Sequence, residues 1–326
     1  MEKNVYFVGV DVDDKAYHFS IVSPEGETIA SRIKCKRDAG ALVKGVNKFT
    51  KNKVIMVGYE ATYLGYSLQR KLNKLKIACQ VIAPTSIAKA PGDRVKNDGK
   101  DSFRLALGLW RREFSFVGIP TLEQESDRMV LRSRAYLVSQ RSDTKRHILS
   151  QCRLLDIDYK QETANKDYWT KMHRDWLDKK IISLPTSAHI MLTVMIQNLQ
   201  TIEKQIATLE SEIEHIATKP EYSKTVQTLN CFKGIATISA MVIVTEIFDI
   251  NRFEHPSKLV SYMGLDIAEH SSGGKQNQFG ITKMGNKRLR TTLVEACQMF
   301  SKSKTPSKRK IAIRKGVDKK IISIAD

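Results

Sequence analysis

Residues 5–11 read VYFVGVD, a short β-rich apolar run that ends on a carboxylate. Such a run spells a buried strand, with Asp11 leaving its end. The arrangement repeats at 54–57, VIMV, which delivers Glu60 just past the strand. Working outward, strands are expected at 5–12, 17–22, 28–34, 54–58 and 78–83, with a turn at Pro24, Glu25 and Gly26 and helices near 38–50 and 64–74. Three consecutive strands followed by alternating helix and strand make an α/β pattern with a mixed sheet. A further acidic pair follows in KNDGKDSFRLALGLW, residues 96–110. Phe103, Leu105, Leu107 and Leu109 indicate a helix there, and Asp98 and Asp101, three apart, share one of its faces.

Each acid has an ordinary reading when taken singly. Asp11 suits a turn or cap, and Asp98 with Asp101 suits an N-cap and a first-turn acid. Glu60, between Tyr59 and Ala61, is less ordinary, because a carboxylate at the edge of an apolar run is costly to bury unpaired. The ensemble of Asp11, Glu60, Asp98 and Asp101 points to a metal site. Four carboxylates with no His or Cys partner favour a hard cation, Mg2+ or alternatively Mn2+, over zinc.

The chain of 326 residues carries a net charge of +19 and has a pI near 9.6. Any polyanion is drawn to such a surface, in a salt-dependent way, and nucleic acid is the expected partner. There is no apolar run of eighteen residues and no signal-peptide pattern, so no membrane is expected and the expected location is cytoplasmic and nucleoid-associated. The five cysteines, Cys35, Cys79, Cys152, Cys231 and Cys297, are widely spaced and form no CxxC pair. They read as buried or inert thiols, with neither a disulfide framework nor a zinc ribbon.

The order of strands and helices at the start is the one used by RNase H-like folds. From about 120 to 155 the pattern turns helical and basic: Arg128, Arg132, Arg134, Arg141, Lys145, Arg146 and Arg153 alternate with Leu131, Leu137, Ile148 and Leu154. That face either lies along phosphates or is merely solvated. Next, Leu192, Met195, Leu199, Ile202, Ile206, Leu209, Ile213 and Ile216 step by alternating threes and fours, a heptad seam. Its partner is either the basic helix of the same chain, as an antiparallel hairpin, or the same helix of another subunit, and a homo-oligomer is expected.

In LNCFKGIATISAMVIVTEIFDINRF, residues 229–253, Lys233 and Gly234 precede a helix of small and apolar residues. This looks like the turn of a helix-hairpin-helix, which holds a phosphate on backbone N–H groups. Farther on, Ser271, Ser272, Gly273 and Gly274 stand ahead of Lys275, Lys283, Lys287, Arg288 and Arg290. Hydroxyls among cations suit a phosphoryl-transfer nucleophile, while a Gly/Ser linker is the plain alternative.

Taken together, GVDV around Asp11, YEAT around Glu60, KNDGKD, the KGIATISA turn and GLDIAEHSSGGK…GITKMGNKRLR closely resemble the DEDD insertion-sequence transposases that include the Piv/MooV DNA invertases. The resemblance covers nearly the whole chain. It implies an RNase H-like (RuvC-like) mixed-sheet domain over 1–115, a basic helix and coiled-coil segment over 116–222, and a small, mainly helical transposase domain over 223–326. The fold class is thus α/β plus α. It further implies Asp11, Glu60, Asp98 and Asp101 as a Mg2+ tetrad, a serine nucleophile, target and donor DNA and, in many members, a guiding bridge RNA; the oligomer expected from the heptad seam is a dimer or a tetramer. Counting forward from Gly264 places Ser272 on the family's serine, followed by the expected glycine; counting back from Lys283 favours Ser271. Ser272 is the preferred reading. Gly280, Lys283, Gly285 and Asn286 match the downstream pattern that would hold nucleic-acid backbone, together with Lys275, Lys287, Arg288, Arg290 and, on the basic helix, Arg132, Arg141 and Arg146. His270 stands beside the serines as a conceivable proton acceptor or as a plain loop residue.

Two other classes compete. A junction-resolvase-like nuclease would use the tetrad with water and be indifferent to Ser272. A non-catalytic nucleic-acid-binding protein would need neither. An actin-like ATPase also starts on a strand-borne Asp, but the Gly-rich second phosphate loop is missing.

Overall fold

The computed structural model describes residues 5–87, 98–269, 278–302 and 308–325. The chain divides into two compact units, Met1–Ile119 and Pro120–Asp326. In the first, β1 (Tyr6–Val12), β2 (Ala16–Val22), β3 (Thr28–Lys36), β4 (Ile55–Glu60) and β5 (Ala78–Ile82) form a sheet of order β3-β2-β1-β4-β5. The first three strands meander antiparallel, and β4 and β5 add in parallel to β1, so the sheet is mixed as the sequence indicated.

Alternation of side chains sorts this sheet into two faces. Val8 and Val10 of β1 and Val57 and Tyr59 of β4 face α1 (Ala39–Thr50) and α2 (Ser67–Lys74), where they bury Leu42, Val46, Leu68 and Leu72. Asp38 caps α1 by accepting from the Ala41 N–H at 2.9 Å, which turns the Ala39, Leu42, Val46 stripe inward. The opposite face carries α3 (Asp98–Arg111), whose Leu105 and Leu109 pack with Ile82, Phe7 and Phe114.

The second unit is built on two long helices, α4 (Leu122–Leu154) and α7 (Thr186–Ala217). A capping box starts α4: Thr121 accepts from the Gln124 N–H while the Gln124 side chain accepts from the Thr121 N–H. The helices run antiparallel, tied by ion pairs Lys219 to Asp127, Arg134 to Glu210 and Lys145 to Glu203. The heptad seam of α7 therefore finds its partner within the chain. Leu192 and Leu199 pack with Ile148 and Cys152, while Ile213 and Ile216 pack with Leu131. Any contact between subunits has to use a different face. Around this pair lie α5 (Tyr159–Thr163), α6 (Lys171–Ile182), α8 (Pro220–Asn230), α9 (Thr237–Ile247) and α10 (Pro256–Met263). They are followed by the hairpin β6 (Ile267–Glu269) with β7 (Gln278–Ile281), then α11 (Lys287–Lys302), α12 (Lys308–Ile313) and α13 (Lys319–Ala325). One core joins Leu131 and Ile213 to Met241 of α9 and Leu289 of α11, so residues on both sides of position 222 share it. Among the described residues no helix is long and apolar enough to cross a membrane. All five thiols are free: Cys79, Cys152 and Cys231 are buried, Cys35 is half-buried and Cys297 is exposed.

His173 on α6 is 1 % exposed within a ring of aromatics. Tyr159, Tyr168 and Trp169 meet it edge-on, with centroids 4.7, 5.2 and 5.2 Å away, and its buried Nδ1 has no hydrogen-bond partner. Burial, helped by the neighbouring Arg174 charge, holds its pKa below the ordinary 6.5. A depressed imidazole pKa means that the fold disfavours the charged form. Stability is then complete above the unfolded pKa and declines as pH falls below it, by at most about 1.4 kcal/mol per pH unit for one proton. Thermal unfolding followed between about pH 7 and 5 should show this decline, and His173→Phe should flatten it. An unchanged slope in the variant would assign the acid sensitivity to other groups.

Candidate active site

Strand register decides how the first two acids meet. β1 and β4 pair in parallel with Gly9 beside Gly58 and Val10 beside Tyr59, so Asp11 and Glu60 are next in line on adjacent strands. Counting by twos, Asp11 shares its face with Gly9 and Phe7, and Glu60 shares it with Gly58 and Met56, which is the face that α3 covers. The helix lies directly on the strands there. A Cβ on Gly9 would meet the Ala106 nitrogen at 2.2 Å and the Ser102 carbonyl oxygen at 2.3 Å, and one on Gly58 would meet Leu109 at 2.6 Å. Glycine at both positions is what allows α3 this approach.

The direction of α3 follows from its contacts. Near its C-terminal end the Trp110 Nε1 donates to the Pro24 carbonyl at 3.0 Å, at the β2–β3 turn. Toward its start, the hydroxyls of Ser102 and Ser20 lie 2.9 Å apart, and Ser20 pairs with Gly9. The first turn, with Asp98 and Asp101, therefore heads for the end of the sheet where Asp11 and Glu60 emerge. Asp11, Glu60 and Asp101 are each half-buried; for Asp98 the backbone position alone is described. A residue the sequence reading passed over joins them. His18 of β2 pairs with Asp11 across the antiparallel ladder, on the α3 face, and its Nδ1 is buried without a hydrogen-bond partner. Only the hairpin register could have found it.

A different acidic group, Glu123, Asp127 and Glu221, brings carboxylate oxygens within 4.8 Å of one another. An ammonium already sits against two of the three. Lys219 donates to Glu123 at 2.9 Å and to Asp127 at 3.2 Å, and the Tyr222 hydroxyl donates to Asp127 at 3.0 Å. It reads as a tie between α4 and α8 in which Asp127 alone is buried, and carries no argument for a metal.

In the second unit, Ser271, Ser272 and Lys275, with His270, lie outside the described residues, in the stretch that joins β6 to β7. The base of that hairpin is held by close backbone contacts. Gly264 (φ +66) ends α10, and a Cβ there would meet the Met284 nitrogen at 2.8 Å; a Cβ on Gly285 (φ +155) would meet the Tyr262 carbonyl oxygen at 2.4 Å. Asn286 organises the junction. Its backbone N–H donates to the Tyr262 carbonyl at 2.8 Å, and its Oδ1 accepts from the N–H groups of Arg288 and Leu289 at 3.0 and 3.2 Å, capping α11. Its Nδ2 donates to Glu246 at 2.8 Å. Glu246, on α9 and 2 % exposed, also accepts two bonds at 2.8 Å from Arg132 of α4. Burial alone would raise the Glu246 pKa, but the Arg132 guanidinium, with Asn286 and Arg128, brings it below the ordinary carboxylate value.

The remaining basic candidates fall into two groups. Lys283, Lys287 and Arg288 are exposed beside the hairpin, and Arg146 is exposed on α4, paired with Asp143. Arg141 is half-buried. Arg290 is turned inward and donates to the Met263 carbonyl at 2.7 Å, and Arg132 is engaged with Glu246 as described. Lys233 and Gly234 occupy the turn between α8 and α9, where Gly234 (φ +81) packs so closely on α11 that a Cβ would meet the Ala296 carbonyl oxygen at 2.1 Å.

An acid-bearing mixed sheet crossed by an acid-bearing helix is consistent with a DEDD transposase domain, and a transposase profile of the DEDD, IS110 type matches residues 8–156. A second profile, the transposase IS116/IS110/IS902 family, matches residues 226–312. The chain belongs to that family of DNA transposases. Similar proteins include a putative transposase, y4qE, of Sinorhizobium fredii, 31% identical over 82% of this chain and 64% of its own length. The chain thus spans under two thirds of that relative. The transposase for insertion sequence element IS1533 of Leptospira borgpetersenii is 27% identical over 100% of this chain and 94% of its own. That for IS1111A of Coxiella burnetii is 25% identical over 99% and 87%. Membership implies a divalent metal ion. The donor set fits one: the oxygen donors Asp11 and Glu60 stand on adjacent strands on the face that α3 covers, with a buried imidazole nitrogen of His18 across from Asp11.

Proposed function

We propose that this chain cuts and rejoins DNA through a covalent phosphoserine intermediate, with Ser272 as nucleophile and Asp11, Glu60, Asp98 and Asp101 as the ligands of a Mg2+ ion, Mn2+ being an alternative. The observation that carries the reading is the parallel register that sets Asp11 beside Glu60, on the face where the α3 first turn arrives. A divalent cation at this place supplies charge neutralisation at the phosphate and leaving oxygens. The Ser272 oxygen attacks phosphorus and loses its proton to the surrounding base or solvent. The phosphodiester P–O bond breaks, and the departing DNA oxygen leaves as a hydroxyl. Attack of another strand's hydroxyl on the phosphoserine reverses the step and releases the serine, so no outside energy source is needed. Ser271 is the alternative nucleophile.

The proposal extends to partners. Lys275, Lys283, Lys287 and Arg288 would flank the reacting phosphate, while Lys233 and Gly234 would hold a backbone phosphate at their turn, with Arg141 and Arg146 along α4. A bridge RNA would choose target and donor by base pairing, leaving the protein to read its shape. Under this reading 1–115 serves as the RuvC-like catalytic domain, 116–222 as the helical connector and 223–326 as the serine-bearing domain of an oligomer. The protein would work in the cytoplasm, on the nucleoid.

The test incubates the protein, co-expressed with its native flanking DNA, with Mg2+ and that DNA. A denaturation-resistant protein–DNA adduct should form and map to Ser272 by mass spectrometry, and Ser272→Ala should abolish it. An adduct on Ser271 would move the nucleophile by one residue. Cleavage without any adduct would establish hydrolysis by water and overturn the serine mechanism.

A further inference from the structure

The loop between α8 and α9 gathers its carbonyls on a single point. Lys310 of α12 donates from Nζ to the carbonyl oxygens of Asn230 at 2.6 Å, Phe232 at 2.7 Å and Ile235. One turn later, Arg314, buried, donates from Nε and Nη2 to the Cys231 carbonyl at 3.2 and 3.1 Å. An ammonium has three donors, and these three carbonyls take one each. Asn230 also ends α8, where the helix dipole is negative. Backbone carbonyls converging on one positive charge are how proteins replace the hydration shell of an alkali ion.

Peptide planarity gives the nest a second consequence. In a trans peptide the C=O and the following N–H point in opposite directions. Drawing the Phe232 and Ile235 carbonyls onto the ammonium therefore turns the N–H groups of Lys233 and Ala236 away from it. Those are N–H groups of the turn read above as a phosphate contact.

We propose that the α8–α9 turn is a monovalent-cation site which the protein fills with its own Lys310, and that this tethered charge fixes the turn in the form that offers the Ala236 N–H group to a nucleic-acid phosphate. The second half rests on the phosphate reading of the turn; the first does not. The inference makes Lys310 a positioning residue and ties DNA contact at this turn to α12.

Lys310→Met tests it, because the methionine chain ends near the lysine Cε and leaves the Nζ place empty; Lys310→Ala opens the place further. Thermal unfolding is measured at one ionic strength in potassium, ammonium or N-methylglucamine chloride. Both variants should unfold several degrees below wild type in N-methylglucamine and recover most of the loss in potassium or ammonium, while wild type is indifferent. A variant that folds only when ammonium or potassium is present meets the proposal. Equal melting of the variants in all three salts, or failure to fold in any, overturns it. Fluorescence anisotropy with a labelled DNA duplex in the same salts separates the two halves. Affinity should fall several-fold in N-methylglucamine and return with potassium; thermal rescue with unchanged affinity would keep the cation nest and overturn the phosphate contact.

Discussion

Asp11→Asn is expected to reduce DNA strand cleavage by about a hundred- to a thousandfold, the scale for losing one electrostatic group aimed at charge that develops in a transition state. The substitution keeps the size of the side chain and removes one negative charge. At the end of β1 it changes nothing in the Val8, Val10 face that carries the core, so thermal unfolding should stay close to that of wild type. Glu60→Gln, one strand over in the same register, should behave alike. Activity loss alone would not separate a ligand from a residue that merely shapes the strand end, so metal binding is read as well. Titration of Mn2+ against the DNA-free protein, followed by electron paramagnetic resonance, should show weaker binding in both variants. Wild-type Mn2+ affinity in Asp11→Asn, together with retained cleavage, would remove Asp11 from the site.

The first unit was legible because its information is local. The strands that carry Asp11 and Glu60 follow from apolar runs with a carboxylate near their ends, although Glu60 is the last residue of β4 and not just past it, and α1 and α2 fall close to the expected 38–50 and 64–74. What spacing could not give is which face α3 covers. That depends on Gly9 and Gly58 being neighbours across two strands, a pairing of residues 49 positions apart that becomes visible only through the register. His18 escaped for the same reason. The heptad seam of α7 was plain in the sequence, but a seam specifies only that a partner exists. The ion pairs from Asp127, Arg134 and Lys145 to residues of α7 and just beyond it settle the partner as α4, and no pattern within either helix encodes those long-range matches. Arg132 and Asn286, both read from the sequence as nucleic-acid contacts, have an intramolecular partner that the sequence did not disclose. Their side chains are engaged with Glu246, a residue hidden in the apolar stretch AMVIVTEIF, where one acid among eight uncharged neighbours gave no hint of two partners on distant helices.

That buried acid supports the second large effect. Arg132→Ala should lower the stability of the second unit by about 3 kcal/mol, toward the low end for breaking a buried ion pair because the guanidinium itself is partly exposed. For a unit of this size the midpoint of thermal unfolding should fall by about 6–12 °C. The cause is the charge left behind. Glu246 would keep the bond from Asn286 but lose both bonds from Arg132, in a site 2 % exposed. The pH dependence carries the sign of this account. In wild type the Glu246 pKa lies below its unfolded value, so its contribution is present above about pH 4.3 and disappears as pH falls through the folded pKa. In Arg132→Ala, burial is left to dominate and should lift the Glu246 pKa above the unfolded value, so that ionisation on raising the pH now destabilises the fold. The gap between the two proteins should therefore be narrow in acid and widen toward neutrality. Combining Arg132→Met with Glu246→Leu removes both charges and should restore more than half of the lost stability, since the damage comes from an unpaired charge more than from a missing attraction. Because Asn286 caps α11 at the foot of the β6–β7 hairpin, the restored double variant should nonetheless cleave DNA poorly: Asn286 Nδ2 has lost its acceptor. A gap independent of pH, or a double variant as unstable as Arg132→Ala, would show that Arg132 acts through packing of its aliphatic stem on α4.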